Sequence, residues 1–388
     1  MTGIFAFDGP MYRDINGQIC DNKITDEILA RYLQYVDLLY VIIRVNDITT
    51  TYKEAHLSPL FSNRVKLVEV PNFLSPKGFL LKGKQVSRIR EIVEKVDMVF
   101  LRIPSVTCNM VAGICREIGK PYLVEVGGCA WDSYFNHSLA GKLVAPVVFL
   151  NQKKTVKNAS CATYVTEKWL QKRYPTSAPS TSASNVYLSS FDTDNIERRI
   201  FKYKQGKPAI YKLGTLANVD VKYKGQDDLI KAISILKKEG VRVVYELVGG
   251  GNLSYLKSIA SKYGVEDQVI FLGTKIHDEI WDWLDQIDIY AQPSKQEGLP
   301  RAVIEAMNRG CICVGSTIAG IPELLQPDEL FKPGCIKEIA SVLKHIIREE
   351  NHENRIRRNF ERSKNYSLDV LNANRKVIFD QYRSLVTK

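Results

Sequence analysis

The chain contains no run of 18 or more apolar residues, so no spanning helix is expected from it. Its start, Gly3-Ile4-Phe5-Ala6-Phe7, carries no basic lead and no small-residue cleavage site. No signal peptide is therefore predicted, and the expected location is the cytoplasm, at most the inner face of the plasma membrane. The eight cysteines include no CxxC pair, and no histidine stands at zinc-finger spacing. A zinc module or a dithiol redox centre is thus excluded, and the thiols are expected to be reduced and buried, as in the apolar run Cys311-Ile312-Cys313-Val314. There is also no basic and aromatic interleaving of the RNA-recognition type, which leaves net charge as the only feature pointing toward nucleic acid.

That net charge is +11 over 388 residues, with an isoelectric point near 9.1. It suits an anionic ligand or surface without choosing among them. The length predicts two domains rather than one core. In the first half, apolar runs at Gly3 to Phe7, Leu38 to Arg44, Lys66 to Val70, Met98 to Ile103, Tyr122 to Val126, Ala162 to Val165 and Asn185 to Leu188 read as strands. Between them, helical spacing covers Thr25 to Val36 and Val86 to Val96, so a parallel α/β sheet is expected. The stretch 175–185, rich in Ser, Thr and Pro, reads as irregular surface chain.

The second half repeats the scheme from Ala209. Strands are expected at Ala209 to Leu213, Arg242 to Val248, Val269 to Leu272 and Ile287 to Gln292. A helix starts with Asp227 and Asp228, where carboxylates favour the positive dipole end, and stops at Gly240. The predicted division is 1–195 plus 366–388 for the first domain and 196–365 for the second, with the Leu368 to Val386 helix crossing back. The expected architecture is two Rossmann-like domains facing each other across a cleft.

The segment Gln296-Glu297-Gly298-Leu299-Pro300-Arg301-Ala302-Val303-Ile304-Glu305-Ala306-Met307 follows a predicted strand. Gly298 and Leu299 then form a tight turn, Pro300 suits the first helical position, and the free N–H groups of that helix start can hold a diphosphate. Arg301 and Glu305 share a helix face. Ala302, Val303 and Ala306 mark a helix too buried to carry idle carboxylates.

Together with Lys224-Gly225, Leu247-Val248-Gly249-Gly250-Gly251, Val269-Ile270-Phe271-Leu272-Gly273 and the run from Gly310 to Leu324, this segment resembles the family 4 retaining glycosyltransferases of the GT-B fold. The whole chain resembles those that build bacterial envelope polysaccharides. The resemblance implies a hexosyl transfer, with retention, from a nucleoside diphosphate sugar, UDP-linked by expectation, to a glycan or lipid-linked hydroxyl, without a metal or resident cofactor. It gives Glu305 the ribose hydroxyls, Glu297 the transferred sugar beside the reacting centre, and Lys224 the diphosphate. The N–H groups of Gly298, Leu299 and Arg301 share that diphosphate, while Gly214, Thr215, Gly249 and Pro300 complete the donor site.

Two departures stand out. Thr215 occupies a position where the family usually has Arg, so Lys222 becomes a candidate replacement. No histidine ends the strand at Tyr122 to Val126, where Glu125 is the charged residue and His137 lies well downstream. The acceptor side is expected at Asp8, Gly9, Gly127 and Gly128, each following a predicted strand. The basic and apolar stretch Gly141 to Lys157 offers a contact with an anionic membrane, set against the favoured reading of a buried helix with a solvated basic end, since Pro146 interrupts the apolar stripe. The alternatives are a non-catalytic nucleotide-sugar-binding or partner protein of the same fold, and a phosphorylase or epimerase on it.

Overall fold

The structure is a computed structural model that describes residues 1–75, 78, 80–135 and 139–387. The chain forms two compact units. The first comprises Met1–Val165, Leu170–Ala183 and Asn374–Lys388, and the second Thr166–Trp169 and Ser184–Ala373.

The first unit is built on β1 (Thr2–Arg13), β2 (Ile19–Cys20), β3 (Leu38–Asp47), β4 (Val65–Glu69), β5 (Met98–Ile103), β6 (Leu123–Val126), β7 (Cys161–Tyr164) and β8 (Ser180–Ser182). The sheet runs β4-β3-β1-β5-β6-β7-β8, all pairs along it parallel, with β2 antiparallel on β1. Its central strands are apolar at successive positions because helices cover both faces: Ile4, Phe5 and Ala6 of β1 and Val99, Phe100 and Leu101 of β5 are fully buried.

Two sequence expectations change here. The strand at Asn185 to Leu188 is absent, its one ladder contact being an isolated bridge between Leu188 and Ser367. The seventh parallel strand lies instead inside the polar 175–185 stretch, where the 180–182 backbone pairs with Ala162, Thr163 and Tyr164. An edge strand needs hydrogen-bonding partners more than apolar side chains, and composition alone did not reveal it.

The second unit contains β9 (Tyr211–Leu216), β10 (Val243–Val248), β11 (Val269–Gly273), β12 (Ile289–Gln292), β13 (Ile312–Ser316) and β14 (Leu330–Phe331). The order β11-β10-β9-β12-β13-β14, parallel throughout, is the doubly wound one. The strand direction of travel reverses between β9 and β12, and a crevice opens there at the carboxyl ends of the strands. The helix Gln226–Lys238 starts with Asp227 and Asp228 as expected, and Gly240 takes the left-handed conformation, φ 76°, two residues after its end.

The units part at Ser184 and Asn374, not at 196 and 366. Packing accounts for this: Val186 and Leu188 join a core of the second unit with Trp283, Tyr290, Met307 and Tyr366. The helix Leu368–Val386 contributes residues up to Ala373 to the second unit and the remainder to the first. In the first unit its Phe379 stacks on Phe100 at 5.4 Å, and Tyr382 accepts from the N–H of Val99 at 2.8 Å. The segment 166–169 belongs to the second unit because the Glu323 carboxylate accepts from the N–H groups of Glu167 (2.6 Å), Lys168 (3.0 Å) and Trp169 (2.6 Å).

Candidate functional site

The crevice beside β9 and β12 holds a cavity of about 460 Å³, lined by Leu216, Lys224, Ile280, Trp281, Gln292, Glu297, Leu299, Pro300, Arg301, Ala302 and Glu305. Every element contributing to it belongs to the second unit.

Lys224 reaches the cavity through its own short loop. Residues 222–224 form one 3-10 turn, closed by Gly225 at φ 73°. A Cβ at Gly225 would lie 2.0 Å from the carbonyl oxygen of Pro293, so only glycine permits this approach. The N–H of Lys295 donates to the carbonyl of Tyr223 at 2.7 Å and fastens the two loops together. The Lys224 ammonium is thereby set 2.6 Å from Glu297 Oε1, across 73 residues of chain.

Glu297 is fixed from the other side as well. Its Oε1 also accepts from Gln292 Nε2 at 2.9 Å and from Ser294 Oγ at 2.8 Å. Gln292 is oriented in turn by the Tyr290 hydroxyl, which donates to its Oε1 at 3.0 Å. Burial pushes the Tyr290 phenol well above its usual range, so it remains a neutral donor. Among the described residues no hydrogen-bond partner is found for Glu297 Oε2, which leaves that oxygen for a ligand hydroxyl. Gln292 and Ser294 are thus supporting residues that the sequence reading missed. The signal was present in Gln292-Pro293-Ser294 at a strand end, but a polar pair there looks the same as an ordinary turn.

The helix after this turn is Arg301–Asn308, with Pro300 as its N-cap at φ −74°, one position earlier than expected. It is held against the 320 turn, where the N–H of Gly320 donates to the carbonyl of Gly298 at 2.9 Å. Arg301 Nη2 lies 3.9 Å from Glu305 Oε1, so the two share the cavity face. Cationic, carboxylate and amide groups meet an apolar wall of Leu216, Ile280, Trp281 and Leu299. Such a site takes a flat ring at one end and a charged or hydroxylated group at the other.

Of the residues expected at the donor site, Lys224, Glu297, Leu299, Pro300, Arg301 and Glu305 come together here, with Gly298 in the turn between them. Thr215, Gly214 and Gly249 do not line the cavity. Thr215 is fully buried, its Oγ1 donating to the carbonyl of Ala291 at 2.8 Å and accepting from the Tyr245 hydroxyl at 2.9 Å. It cements the sheet where a larger basic side chain would have no room. At Gly214 a Cβ would stand 2.7 Å from the Trp283 ring, and at Gly249 it would stand 2.1 Å from the carbonyl of Ala217, so both are packing glycines. Lys222 does not supply the missing charge either, since its ammonium lies over the Tyr255 ring at 4.9 Å.

In the first unit, Asp8, Gly9, Gly127 and Gly128, the residues expected on the acceptor side, make contacts within the fold. Asp8 lies inside β1, which continues past Phe7 with an irregularity between Ala6 and Pro10. Its carboxylate accepts from the N–H groups of Val106 and Thr107, capping the helix Val106–Glu117. A Cβ at Gly9 would meet the Phe7 ring at 2.6 Å. The N–H of Gly127 donates to the carbonyl of Ile103, and the carbonyl of Gly128 accepts from Gln152. Glu125 is a buried anchor: it accepts from the Tyr32 hydroxyl at 2.9 Å and pairs with Arg102 at 3.2 Å. Burial pulls its pKa up, but Arg102, Arg31 and Arg375 outweigh that and hold the carboxyl below the usual range. His137 lies outside the described residues.

One Asp-x-Asp triplet does occur, Asp192-Thr193-Asp194. Asp192 caps the helix Thr193–Lys204 by accepting from the N–H of Asn195 at 2.9 Å, and it sits away from the cavity lining.

The sequence model of the family described as Glycosyl transferases group 1 matches residues 195–363. Protein CapJ of Staphylococcus aureus is 32% identical over 394 residues, an alignment that covers 100% of this chain and 97% of that protein. The capsular polysaccharide biosynthesis glycosyltransferase CapH, also of Staphylococcus aureus, is 28% identical over 195 residues, covering 44% of this chain and 54% of CapH. Among solved structures, that of Anabaena HepE in complex with UDP superposes with a TM-score of 0.67 at 15% identity, covering 98% of this chain and all of that one, a likeness of fold.

Proposed function

The chain belongs to the group 1 glycosyl transferases, and from that premise we propose that the 460 Å³ cavity binds a nucleoside diphosphate sugar, with UDP as the nucleotide, for transfer of the sugar with retention. The acceptor in this reading is a hydroxyl of a growing capsule or other surface polysaccharide, the pathway named for the relative CapH. UDP is favoured because the Anabaena neighbour of the same fold holds it.

The observation that carries the proposal is the convergence of Lys224, Glu297 and the start of the Arg301–Asn308 helix on one cavity wall. In the reaction the bond from the anomeric carbon to the phosphate oxygen breaks, and its electron pair leaves with the nucleoside diphosphate. The acceptor hydroxyl oxygen bonds to the same face of that carbon, and its proton passes to the departing phosphate oxygen. Negative charge grows on the departing diphosphate, and the Lys224 ammonium and the free N–H groups at the helix start are positioned to meet it. Glu297 orients the sugar through its hydroxyls, and Glu305 receives the ribose hydroxyls. The apolar wall with Trp281 accepts the base. The leaving group is stabilised by these groups without a divalent cation.

The test is a melting-temperature screen of the purified chain against UDP, GDP, ADP, CMP and their sugar conjugates, each with and without manganese and with a chelator. At 100 times its dissociation constant a ligand adds about 2.7 kcal/mol of apparent stability. The expected result is one metal-insensitive shift with UDP that is lost in Glu305→Ala. A shift seen only with manganese overturns the account of the leaving group, and no shift with any nucleotide overturns the donor site.

A further inference from the structure

Two segments of the second unit bring Lys224 and Glu297 together. Residues 222–228 carry Lys224 and the start of the helix Gln226–Lys238, and residues 293–298 carry Glu297. A second ion pair joins the same two segments. Lys295, two residues before Glu297, sets its ammonium 2.6 Å from Asp228 Oδ2 and 3.8 Å from Asp227 Oδ1. The two pairs are crossed in sign: the 222–228 segment contributes a cation to one and an anion to the other, and the 293–298 segment does the reverse.

The acidic side of the second pair is sheltered, with the Asp227 and Asp228 side chains 8% and 6% exposed. Lys231, one turn further along the helix, reaches Asp227 Oδ2 at 2.7 Å and Asp228 Oδ1 at 3.1 Å. The Tyr255 hydroxyl donates to Asp227 Oδ2 at 3.3 Å. Burial pushes the Asp227 carboxyl up, but Lys231 and Lys295 outweigh that and hold it below its usual range. Two adjacent buried carboxylates call for two cations, and Lys231 is one of them. Lys295 is the other and comes from a different segment, so neutralising the carboxylates also fixes where the 293–298 segment lies.

The two pairs respond differently to a ligand. A diphosphate in the cavity competes with Glu297 for the Lys224 ammonium, which loosens the link at that end. Lys295 and Asp228 are not among the residues lining the cavity, so their pair persists. We propose that the Lys295–Asp228 pair is a clamp that holds the Glu297 segment against the Lys224 segment while the diphosphate occupies the Lys224 ammonium, which makes Lys295 and Asp228 positioning residues for the donor. The inference rests on the reading of the cavity as the donor site.

The experiment is calorimetric titration of the full chain with UDP and with uridine, for the parent, Lys295→Met, Asp228→Asn, their combination and Lys295→Arg. The two single changes alter charge in opposite directions. Acting through space, loss of the cation would weaken UDP and loss of the anion would tighten it. A clamp gives both the same sign: each single variant should bind UDP roughly 3- to 10-fold more weakly, and the combination no more weakly than the worse single variant. Lys295→Arg, which keeps the pair, should recover most of the affinity. Uridine has no diphosphate to engage Lys224, so its affinity should hold throughout. Tighter UDP binding in Asp228→Asn, or parent affinity in both single variants, overturns the clamp. Additive losses also overturn it and make Lys295 a direct diphosphate contact, and an equal loss of uridine reduces the pair to a support of the fold. Should Asp228→Asn not fold, Lys295→Met against Lys295→Arg decides the matter with uridine as control. A parent chain that does not bind UDP overturns the donor site and the clamp together, whereas the other adverse outcomes leave the donor site standing.

Discussion

The Lys224 ammonium is engaged by Glu297, at 2.6 Å, with the two side chains only 23% and 11% exposed. A diphosphate entering the cavity must share that ammonium with a carboxylate of its own sign. Glu297→Gln keeps the shape and the acceptor oxygen for Gln292 and Ser294 but removes the competing charge. A hydrogen bond to a charged group contributes about 1.5 to 3 kcal/mol net. Releasing part of one, about 1 to 2 kcal/mol, should tighten UDP binding roughly 5- to 30-fold. Lys224→Ala should weaken UDP by about 10- to 150-fold on the same scale, and lower turnover further because the charge it meets grows along the reaction. The two changes should not add: Lys224→Ala should cost more in the Glu297→Gln background than in the parent, by the energy of the pair that the nucleotide disrupts. Titration calorimetry of the four proteins with UDP, at two salt concentrations, measures this cycle. Equal losses in both backgrounds, or no tightening in Glu297→Gln, would refute the shared-ammonium account. Unchanged affinity in Lys224→Ala would pass the diphosphate contact to Arg301.

Glu305→Ala should weaken UDP by about 1 to 3 kcal/mol, and uridine by as much, because the lost partner serves the ribose; a loss confined to UDP would refute the role. Gly225→Ala forces a Cβ to within 2.0 Å of the Pro293 carbonyl at φ 73°, so an unfolding free energy lower by roughly 1 to 3 kcal/mol in urea titration and weaker UDP binding are expected together. Gly264→Ala, at φ 63° with open space around it, should cost only about 1 kcal/mol of backbone strain and leave UDP binding alone. His352 is buried, its Nε2 is 3.2 Å from the Tyr211 hydroxyl, and burial lowers its pKa below 6.5. The unfolded chain therefore binds a proton that the folded one resists. Its stabilisation is complete above about pH 6.5 and is lost as pH falls from there toward the folded pKa. Urea unfolding at pH 7.5 and 5.5 should show the loss, and His352→Gln should flatten it.

Much of the donor half was legible in the sequence because its signals are local. Asp227 and Asp228 at a helix start, Gly240 after its end and Pro300 ahead of a buried helix act through backbone conformation and near-neighbour dipoles, which depend on a few adjacent residues. The second sheet was readable for a related reason: its central strands are buried on both faces, so their apolar runs are continuous. The short strands Ser180–Ser182 and Leu330–Phe331 lack such runs, and only their pairing partners define them.

What the sequence determined by itself was the alternation of strands and helices and the set of residues able to carry the chemistry, since periodicity and residue type are properties of the chain. Tertiary structure alone decided which of those residues are free to do so. The Asp8 carboxylate meets a helix start 98 residues away, and Thr215 is sealed inside the sheet. Lys224 and Glu297 are joined because a glycine lets two loop backbones touch. Leu143, Val147 and Leu150 of the helix Leu139–Lys157 face solvent because its other face, from Ala145 to Val156, supplies the core contacts. Each of these outcomes depends on where distant chain segments meet, and a linear pattern carries no record of that distance.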